Sequence, residues 1–173
     1  MTGLAPLVAE DFACDSCGFA FPDCDVTTVA ARLPTLAADV RVLIEAAGRD
    51  RLGAKPDDGS WSAIEYLCHL RDVYEVSAIR LYRVRTEDRP QLEPMYNDLR
   101  AIRFRYAGRD APAVLDELDA AVAGCCDEIA RVTDWDRTMT RLAGEHRTAR
   151  WLARAAVHEG VHHLRDLHAA LST

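Results

Sequence analysis

Four long stretches of this chain repeat their apolar residues with the period of an α-helix. In such a pattern the side chains that share one face recur about every 3.6 residues, so each stretch can turn one apolar face toward a core. The stretches run over Thr28–Ala47, Ser62–Thr86, Asp110–Val132 and Thr148–Leu171. Long amphipathic helices with little strand content predict an all-α chain that folds as an antiparallel four-helix bundle.

Residues with helix-start and helix-stop preferences mark the ends of these stretches. Ser62 and Glu65 have the spacing of a capping box at a helix N-terminus. Thr148 has the side chain of an N-cap for the last helix, and Gly48 predicts the end of the first. Pro34 falls inside the first pattern, which predicts either that it marks the first turn or that it kinks the helix.

The connections between the long helices contain smaller elements. A shorter helix is expected from Tyr96 to Tyr106. The segment 138–142 before Gly144 predicts a small hairpin or an extended loop ahead of the last helix. Residues 1–25 are irregular and are interpreted as a cysteine-containing N-terminal extension. Residues 26–173 are interpreted as a single bundle domain.

Charge and hydropathy narrow the classes of partner. The chain has 173 residues and a formal net charge of −7, which argues against a nucleic-acid-binding surface. No apolar run approaches the ~20 residues that a membrane span requires, and the N-terminus lacks the features of a signal peptide. We therefore expect a cytoplasmic protein. In that reducing compartment the six cysteines are expected to be thiols or metal ligands.

Three histidines form the strongest candidate for a chemical site. His158 and His162 are four residues apart in the last helix, so they lie about 40° apart on one face and can bind one ion. His69, on the second long helix, can meet them across an antiparallel bundle and complete a three-histidine set. Three protein ligands leave a position open for water or substrate, as in catalytic zinc sites. His163 is rotated about 100° from His162 and is therefore not expected to share that ion.

Carboxylates near these histidines have several interpretations. Asp72 and Asp166 follow a histidine by three or four residues and are the preferred candidates for orienting the imidazoles. His158-Glu159-x-x-His162 also satisfies the H-E-x-x-H pattern of metalloproteases, with Glu159 as general base. A protease is disfavoured because no glutamate follows His162 and no sheet is expected to hold a peptide.

The cysteines of the N-terminal extension suit a second site. Cys14-Asp15-Ser16-Cys17-Gly18-Phe19 is typical of one knuckle of a zinc ribbon, and Cys24 is a candidate third ligand. A closed structural site needs four ligands, and no second Cys-x-x-Cys follows nearby. Three interpretations stay open: a three-cysteine site completed by a distant residue or water, a redox-active dithiol, or an unligated tail.

Two segments of the chain resemble a known family. Trp61–Asp72, followed later by Trp151-Leu152 and His158–Leu167, is similar to the motifs of the DinB-like (DinB/YfiT) superfamily of metal-binding four-helix proteins. The resemblance spans roughly residues 28–171. It implies a bundle of DinB-like type that binds a divalent ion, zinc first and nickel or another metal as alternatives, with the histidine motif falling on His69, His158 and His162.

The resemblance also implies a class of activity. Characterised members of the superfamily include thiol-dependent transferases and isomerases that use bacillithiol, mycothiol or glutathione, and many relatives form homodimers. The arginine- and alanine-rich composition is typical of a GC-rich bacterial genome, which fits mycothiol as the thiol. We therefore expect a metal-dependent transferase that acts on a small molecule with a low-molecular-weight thiol. The alternative is a non-catalytic metal- or ligand-binding protein whose N-terminal cysteines sense metal or redox state.

Overall fold

The computed structural model describes residues 6–172, which fold mainly into helices. In chain order these are α1 (Val29–Ala46), α2 (Arg49–Gly53), α3 (Ala63–Thr86), α4 (Asn97–Arg103), α5 (Ala111–Ala130) and α6 (Ala149–Ser172). Two short strands, β1 (Thr138–Thr140) and β2 (His146–Thr148), precede α6, and 3-10 turns cover Val26–Thr28 and Tyr106–Gly108. The predicted four-helix bundle is confirmed, with its extra short helix and its hairpin before the last helix. Residues 1–5 of the predicted extension lie outside the described residues.

The arrangement of the long helices brings α3 and α6 together. Both α1 and α3 pack against α5 and against α6, which places α1 and α3 at diagonal corners of the bundle. Tyr66, in the first turn of α3, contacts His163 in the second half of α6. Tyr74, two turns further along α3, lies beside Gly160, which precedes His163. The two helices therefore run antiparallel, as the sequence predicted for the helix that carries His69.

The neighbours α3 and α5 run in the same direction. Arg71, in the first half of α3, pairs with Glu117 in the first half of α5. Arg85, near the end of α3, pairs with Glu128 near the end of α5 at 3.0 Å. The connection through α4 carries the chain back along the bundle before α5 begins, so the bundle combines parallel and antiparallel neighbours. Within residues 6–172, no helix is both long and apolar enough to cross a bilayer.

Pro34 lies inside α1, beyond its first turn. Its nitrogen carries no hydrogen, so the carbonyl of Ala30, one turn earlier, loses its usual helical donor. The thiol of Cys126, on α5, donates to that carbonyl at 3.4 Å. A side chain from a neighbouring helix thus satisfies the acceptor that the proline leaves open, and α1 continues through this position.

The N-terminal segment packs across the hairpin and the start of α6. Met139 of β1 lies opposite Arg147 of β2. Arg147 Nε donates to the carbonyl of Val8 at 2.6 Å, and Trp151 Nε1 donates to the same carbonyl at 3.1 Å. Thr148 Oγ1 accepts from the Trp151 backbone N–H at 3.0 Å, which confirms the predicted cap. The residues before α1 are therefore attached to the bundle where α6 begins.

Gly160 is a point of close approach between helices. A Cβ at this position would lie 2.9 Å from Leu36 Cδ1 of α1, and it would also meet the hydroxyl of Tyr74. We expect Gly160→Ala to destabilise the fold by about 1–3 kcal/mol through overpacking, partly offset by a gain of about 1 kcal/mol in helix propensity. Urea unfolding would measure the change. Gly124→Ala, in α5, is the matched control, because nothing lies within 4 Å of the added Cβ. Equal midpoints for the two variants would contradict this packing.

Candidate metal centre

Helix α6 carries the side chains that could bind a metal ion on two neighbouring stripes. His158 and His162 are one turn apart on the first stripe, and Glu159 and His163 are one turn apart on the second. Successive helical residues are rotated by about 100°, so the two stripes face different neighbours. The second stripe meets His69 of α3, whereas the first meets the N-terminal segment.

His69, Glu159 and His163 form the first cluster, and one ligand atom from each lies within 4.8 Å of the others. Glu159 Oε2 is 3.6 Å from His69 Nε2 and 3.2 Å from His163 Nε2. The two imidazole rings are nearly perpendicular, with centroids 4.8 Å apart. Three donors from two helices therefore converge at the interface of α3 and α6.

Both ring nitrogens of His163 face carboxylates. Nδ1 is 2.9 Å from Asp166 Oδ2, and Nε2 is 3.2 Å from Glu159 Oε2. A neutral imidazole carries a hydrogen on only one of its two nitrogens. The other nitrogen of His163 would therefore face a carboxylate oxygen with no proton between them, unless the ring is protonated or a cation lies there. Burial lowers the pKa of His163, but Asp166 and Glu159 outweigh it and raise the pKa to about 9. The cluster therefore attracts positive charge.

The remaining members of the cluster also suit a divalent cation. Burial raises the pKa of Glu159, but hydrogen bonds from His163 and His69 outweigh this effect and hold the pKa well below its usual value. The carboxylate is thus an ionised ligand near neutral pH. His69 is 2% exposed, and its Nδ1 is buried without a hydrogen-bond partner. Two imidazoles and one carboxylate are a donor set of catalytic zinc sites, so the residues fit a metal ion.

Aromatic side chains form one wall of the first cluster. The Trp61 ring lies 5.1 Å from His69, and the Tyr66 ring lies 5.4 Å from His163, both measured between centroids. The Glu159 side chain keeps 35% of its surface exposed, whereas His69 keeps 2%. Solvent and small molecules therefore reach this cluster from the α6 side.

Cys14, Cys17, His158 and His162 form the second cluster, with one ligand atom from each within 4.8 Å of the others. Cys14 Sγ lies 3.5 Å from His162 Nδ1. Burial raises the pKa of the Cys14 thiol, but hydrogen bonds from the backbone N–H groups of Cys17 and Ser16 leave that pKa below its ordinary value. The N-terminal extension therefore supplies two thiols to the first stripe of α6.

Asp166 contacts both clusters. The same oxygen, Oδ2, that lies beside His163 Nδ1 is 3.5 Å from His162 Nε2. His162, His163 and Asp166 are close enough to count as a third group with metal-ligand spacing, but this group shares its histidines with the other two. We interpret Asp166 as the carboxylate that orients one imidazole from each cluster.

The histidines predicted as a triad are distributed over the two clusters. His69 belongs to the first cluster, and His158 and His162 belong to the second. Within residues 6–172, no group of ligand atoms at this spacing joins His69 to His158. That the three share one ion stays a prediction, and the geometry offers two other donor sets.

Of the cysteines and carboxylates predicted for the site, some lie in the two clusters and others lie elsewhere. Cys14 and Cys17 lie together, whereas Cys24 belongs to neither cluster and accepts from Arg32 Nη1 at 3.5 Å. Of the two carboxylates predicted to orient histidines, Asp166 contacts His162 and His163. Asp72 is engaged elsewhere: it contacts Arg71 and Tyr106 and accepts from Arg100 Nε at 2.7 Å.

Sequence reasoning did not select Glu159 and His163 as ligands. His163 was set aside because it is rotated about 100° from His162, and Glu159 was weighed as the general base of a metalloprotease motif. The available signal was their spacing, since Glu159 and His163 are four residues apart like the histidine pair. Two overlapping pairs of this kind on one helix predict two stripes of ligands.

A cavity of about 410 Å³ lies elsewhere in the bundle, among α1, α2, α3 and α5. Its apolar lining includes Leu52, Ile64 and Leu115, and it shares no residue with either cluster. The metal-ligand chemistry of the described residues is therefore separate from this cavity.

Comparisons with known proteins agree with the fold. The family model described as DinB superfamily matches residues 32–167. Among solved structures, YfiT from Bacillus subtilis, described as a probable metal-dependent hydrolase with an unusual four-helix bundle topology, is similar with a TM-score of 0.75. It is 19% identical, and the match covers 85% of this chain and 87% of that chain. No curated protein matches the sequence. Because the family model spans most of the residues, the chain belongs to the DinB superfamily.

Proposed function

We propose that this chain is a divalent-metal-dependent enzyme of small molecules, with His69, Glu159 and His163 as the ligands of the ion. The observation that carries the proposal is the position of His163, whose two ring nitrogens both face carboxylates at 2.9 and 3.2 Å. A divalent ion between Glu159 and the two imidazoles would bind both rings and balance the negative charge of the carboxylate. Zinc is the expected metal, with nickel or another divalent ion as the alternative.

The protein's own groups would hold and orient such a site. Asp166 fixes the proton of His163 on Nδ1, which leaves the lone pair of Nε2 free to bind the ion. Trp61 and Tyr66 form an apolar wall beside the imidazoles, and the exposed side of Glu159 leaves room for a small molecule. When bound, a divalent ion supplies Lewis acidity that lowers the pKa of a nucleophile at its open position.

The nucleophile that we propose is a low-molecular-weight thiol, and mycothiol is the first choice. In this reaction the thiol loses its proton, its sulfur forms a bond to an electrophilic carbon of a small substrate, and the bond from that carbon to a leaving group breaks, with the leaving group taking the electron pair. Its support is the DinB superfamily membership together with an arginine-rich composition. The described cysteines of the bundle core are poor substitutes, because burial raises the pKa of both Cys68 and Cys125 to about 12.

Water is the second candidate nucleophile. Two histidines and one glutamate are also the ligands of hydrolytic zinc enzymes. The similar structure of YfiT is described as a probable metal-dependent hydrolase. The same ion would then support hydrolysis of a small ester or amide without a thiol.

Assays of the full-length protein separate these reactions. The metal-stripped protein is reloaded with zinc, nickel or manganese. It is then incubated with electrophiles, with or without mycothiol, bacillithiol or glutathione. Thioether formation that requires both metal and thiol supports the transferase, whereas metal-dependent hydrolysis without thiol supports the second candidate. Tight ligand binding without turnover under every condition would contradict both and favour the non-catalytic alternative.

His163→Ala is expected to abolish this activity. Loss of a residue that hydrogen-bonds to a metal ligand lowers metal affinity about 10–100-fold. Loss of a ligand itself should lower the metal affinity of the first cluster by more than that. Metal content and turnover would be measured on the same preparations. His168→Ala is the matched control, since His168 is an exposed histidine near the end of the same helix. Full activity of the His163 variant would overturn the ligand assignment.

A further inference from the structure

Cys14 and Cys17 lie at the tip of a tight hairpin that packs on α6. An antiparallel bridge joins the two arms of the hairpin. The Cys14 N–H donates to the Phe19 carbonyl at 2.9 Å, and the Gly18 N–H donates to the Cys14 carbonyl at 2.8 Å. Gly18 has a φ of +73°, a left-handed conformation that glycine adopts readily. This turn places both thiols beside the first stripe of α6.

His158 is embedded in the phenylalanines of the same hairpin. Its ring centroid lies 5.6 Å from Phe12 and 5.8 Å from both Phe19 and Phe21. His158 Nε2 is nevertheless buried without a hydrogen-bond partner. An unsatisfied buried polar group costs about 1–3 kcal/mol, which is a reason to look for a ligand beside it. One ring nitrogen of His158 lies within 4.8 Å of both thiol sulfurs and of a ring nitrogen of His162.

The spacing of the donors matches a tetrahedral zinc ion. Zinc lies about 2.3 Å from a thiolate sulfur and about 2.0–2.1 Å from an imidazole nitrogen, so the two atoms are separated by about 3.6 Å at a tetrahedral angle. Cys14 Sγ and His162 Nδ1 are 3.5 Å apart. Asp166 lies beside the other nitrogen of His162, which is the arrangement that orients a ligating imidazole.

We propose that Cys14, Cys17, His158 and His162 bind a structural zinc ion that fastens the N-terminal hairpin to α6. Two thiolates and two imidazoles fill a tetrahedral shell, so this site has no open position for a substrate. It is distinct from the first cluster, which uses the other stripe of α6. Binding removes the protons of both thiols and links residues that are 148 positions apart in the chain.

Docking of the hairpin depends on this link. Phe19 and Phe21 are 8% and 0% exposed because the hairpin lies against α6. A domain of this size folds around its own core without a metal, so we expect loss of the ion to release the hairpin and leave the bundle helical. Hydrogen exchange should therefore rise in residues 12–21 and stay low in α3 and α5.

The test measures metal content and the cobalt spectrum of the full-length protein. Dialysis against a weak chelator is expected to empty the open first cluster and to leave wild type with one zinc ion, in the closed second cluster. Cys17→Ser and His158→Ala are expected to lose that ion. Cobalt in this site should give thiolate-to-metal charge transfer, which disappears in Cys17→Ser and persists in His163→Ala. Cys126→Ser is the matched control, because Cys126 is a half-buried thiol that contacts the Ala30 carbonyl, away from the cluster.

Three results would overturn the proposal. The first is a Cys17→Ser protein that retains the zinc content of wild type. The second is a cobalt-loaded wild type without thiolate charge transfer. The third is a Cys14–Cys17 disulfide in protein purified under reducing conditions, which would favour the redox dithiol. Circular dichroism of each variant establishes that the bundle is folded, and the His163→Ala spectrum supplies a second readout that does not depend on removing a hairpin residue.

Discussion

Replacing Asp72 with alanine is expected to lower the free energy of unfolding by about 3–5 kcal/mol and to leave both metal clusters in place. Asp72 is 1% exposed and lies between two arginines. Arg100 Nη2 is 2.6 Å from its carboxylate, and Arg71 and Tyr106 contact the same group. The variant leaves the buried Arg71 guanidinium with fewer partners. Because Arg71 keeps its contact with Glu117, we expect a value toward the lower end of that range.

Denaturant unfolding and metal analysis of the same preparations would test this expectation. Asp116→Ala is the control, since Asp116 also pairs with an arginine, Arg41, but is 81% exposed. Its loss should change the free energy of unfolding by less than about 0.5 kcal/mol. A loss of metal by Asp72→Ala at unchanged stability would contradict our assignment and return Asp72 to the role predicted from the sequence.

The helices could be predicted because their signals are local. Glu65 accepts from both the backbone N–H and the hydroxyl of Ser62, as the spacing of these residues predicted. Thr148 caps α6 with its own hydroxyl, which accepts from the Trp151 backbone N–H. The interpretation of Gly48 was incomplete for a related reason. It follows the end of α1 as expected, but it is also the residue from which α2 begins, and a five-residue helix leaves no periodic pattern.

The site could be predicted in part. Residues of metal-ligand type and their spacing can be read from a short segment of sequence, whereas which of them lie together depends on how the helices pack. The sequence selected His69, the histidine-bearing segment of α6 and the Cys-x-x-Cys turn, which all contribute to the candidate clusters. Which stripe of α6 faces α3 depends on the rotation of the helix about its axis. That rotation is fixed by packing, such as the approach of Gly160 to Tyr74. With two overlapping ligand pairs, a rotation of about 100° exchanges one pair for the other, and spacing does not determine it.

The partners of charged side chains were equally hard to predict. Asp72 follows His69 by three residues, which places the two side chains on neighbouring positions of one helix face. Its carboxylate instead pairs with Arg100, which lies in the short helix α4 and is brought close by the connection between α3 and α5. A sequence pattern within one helix carries no information on such a contact, because a separate segment of the chain supplies it.

Replacing Asp166 with alanine is expected to weaken metal binding at both clusters, by about 10–100-fold at each. Its Oδ2 lies 2.9 Å from His163 Nδ1 and 3.5 Å from His162 Nε2. These are the nitrogens opposite the ones that face Glu159 and Cys14. Without the carboxylate, neither imidazole is held in the tautomer and orientation that directs a lone pair into its cluster. The affinities would be measured by competition with chelators of graded strength, with cobalt reporting the thiolate site.

A loss of affinity at both clusters would distinguish a carboxylate that orients two histidines from a metal ligand of one cluster. His163→Ala should affect the first cluster and Cys17→Ser the second, whereas Asp166→Ala should reduce both affinities and abolish neither. Asp127→Ala, an exposed carboxylate on α5, is the control and is expected to leave both affinities unchanged. Loss at one cluster with full retention at the other would show that the carboxylate orients a single histidine. In that case the second imidazole owes its orientation to packing, which for His162 means its contact with the N-terminal hairpin.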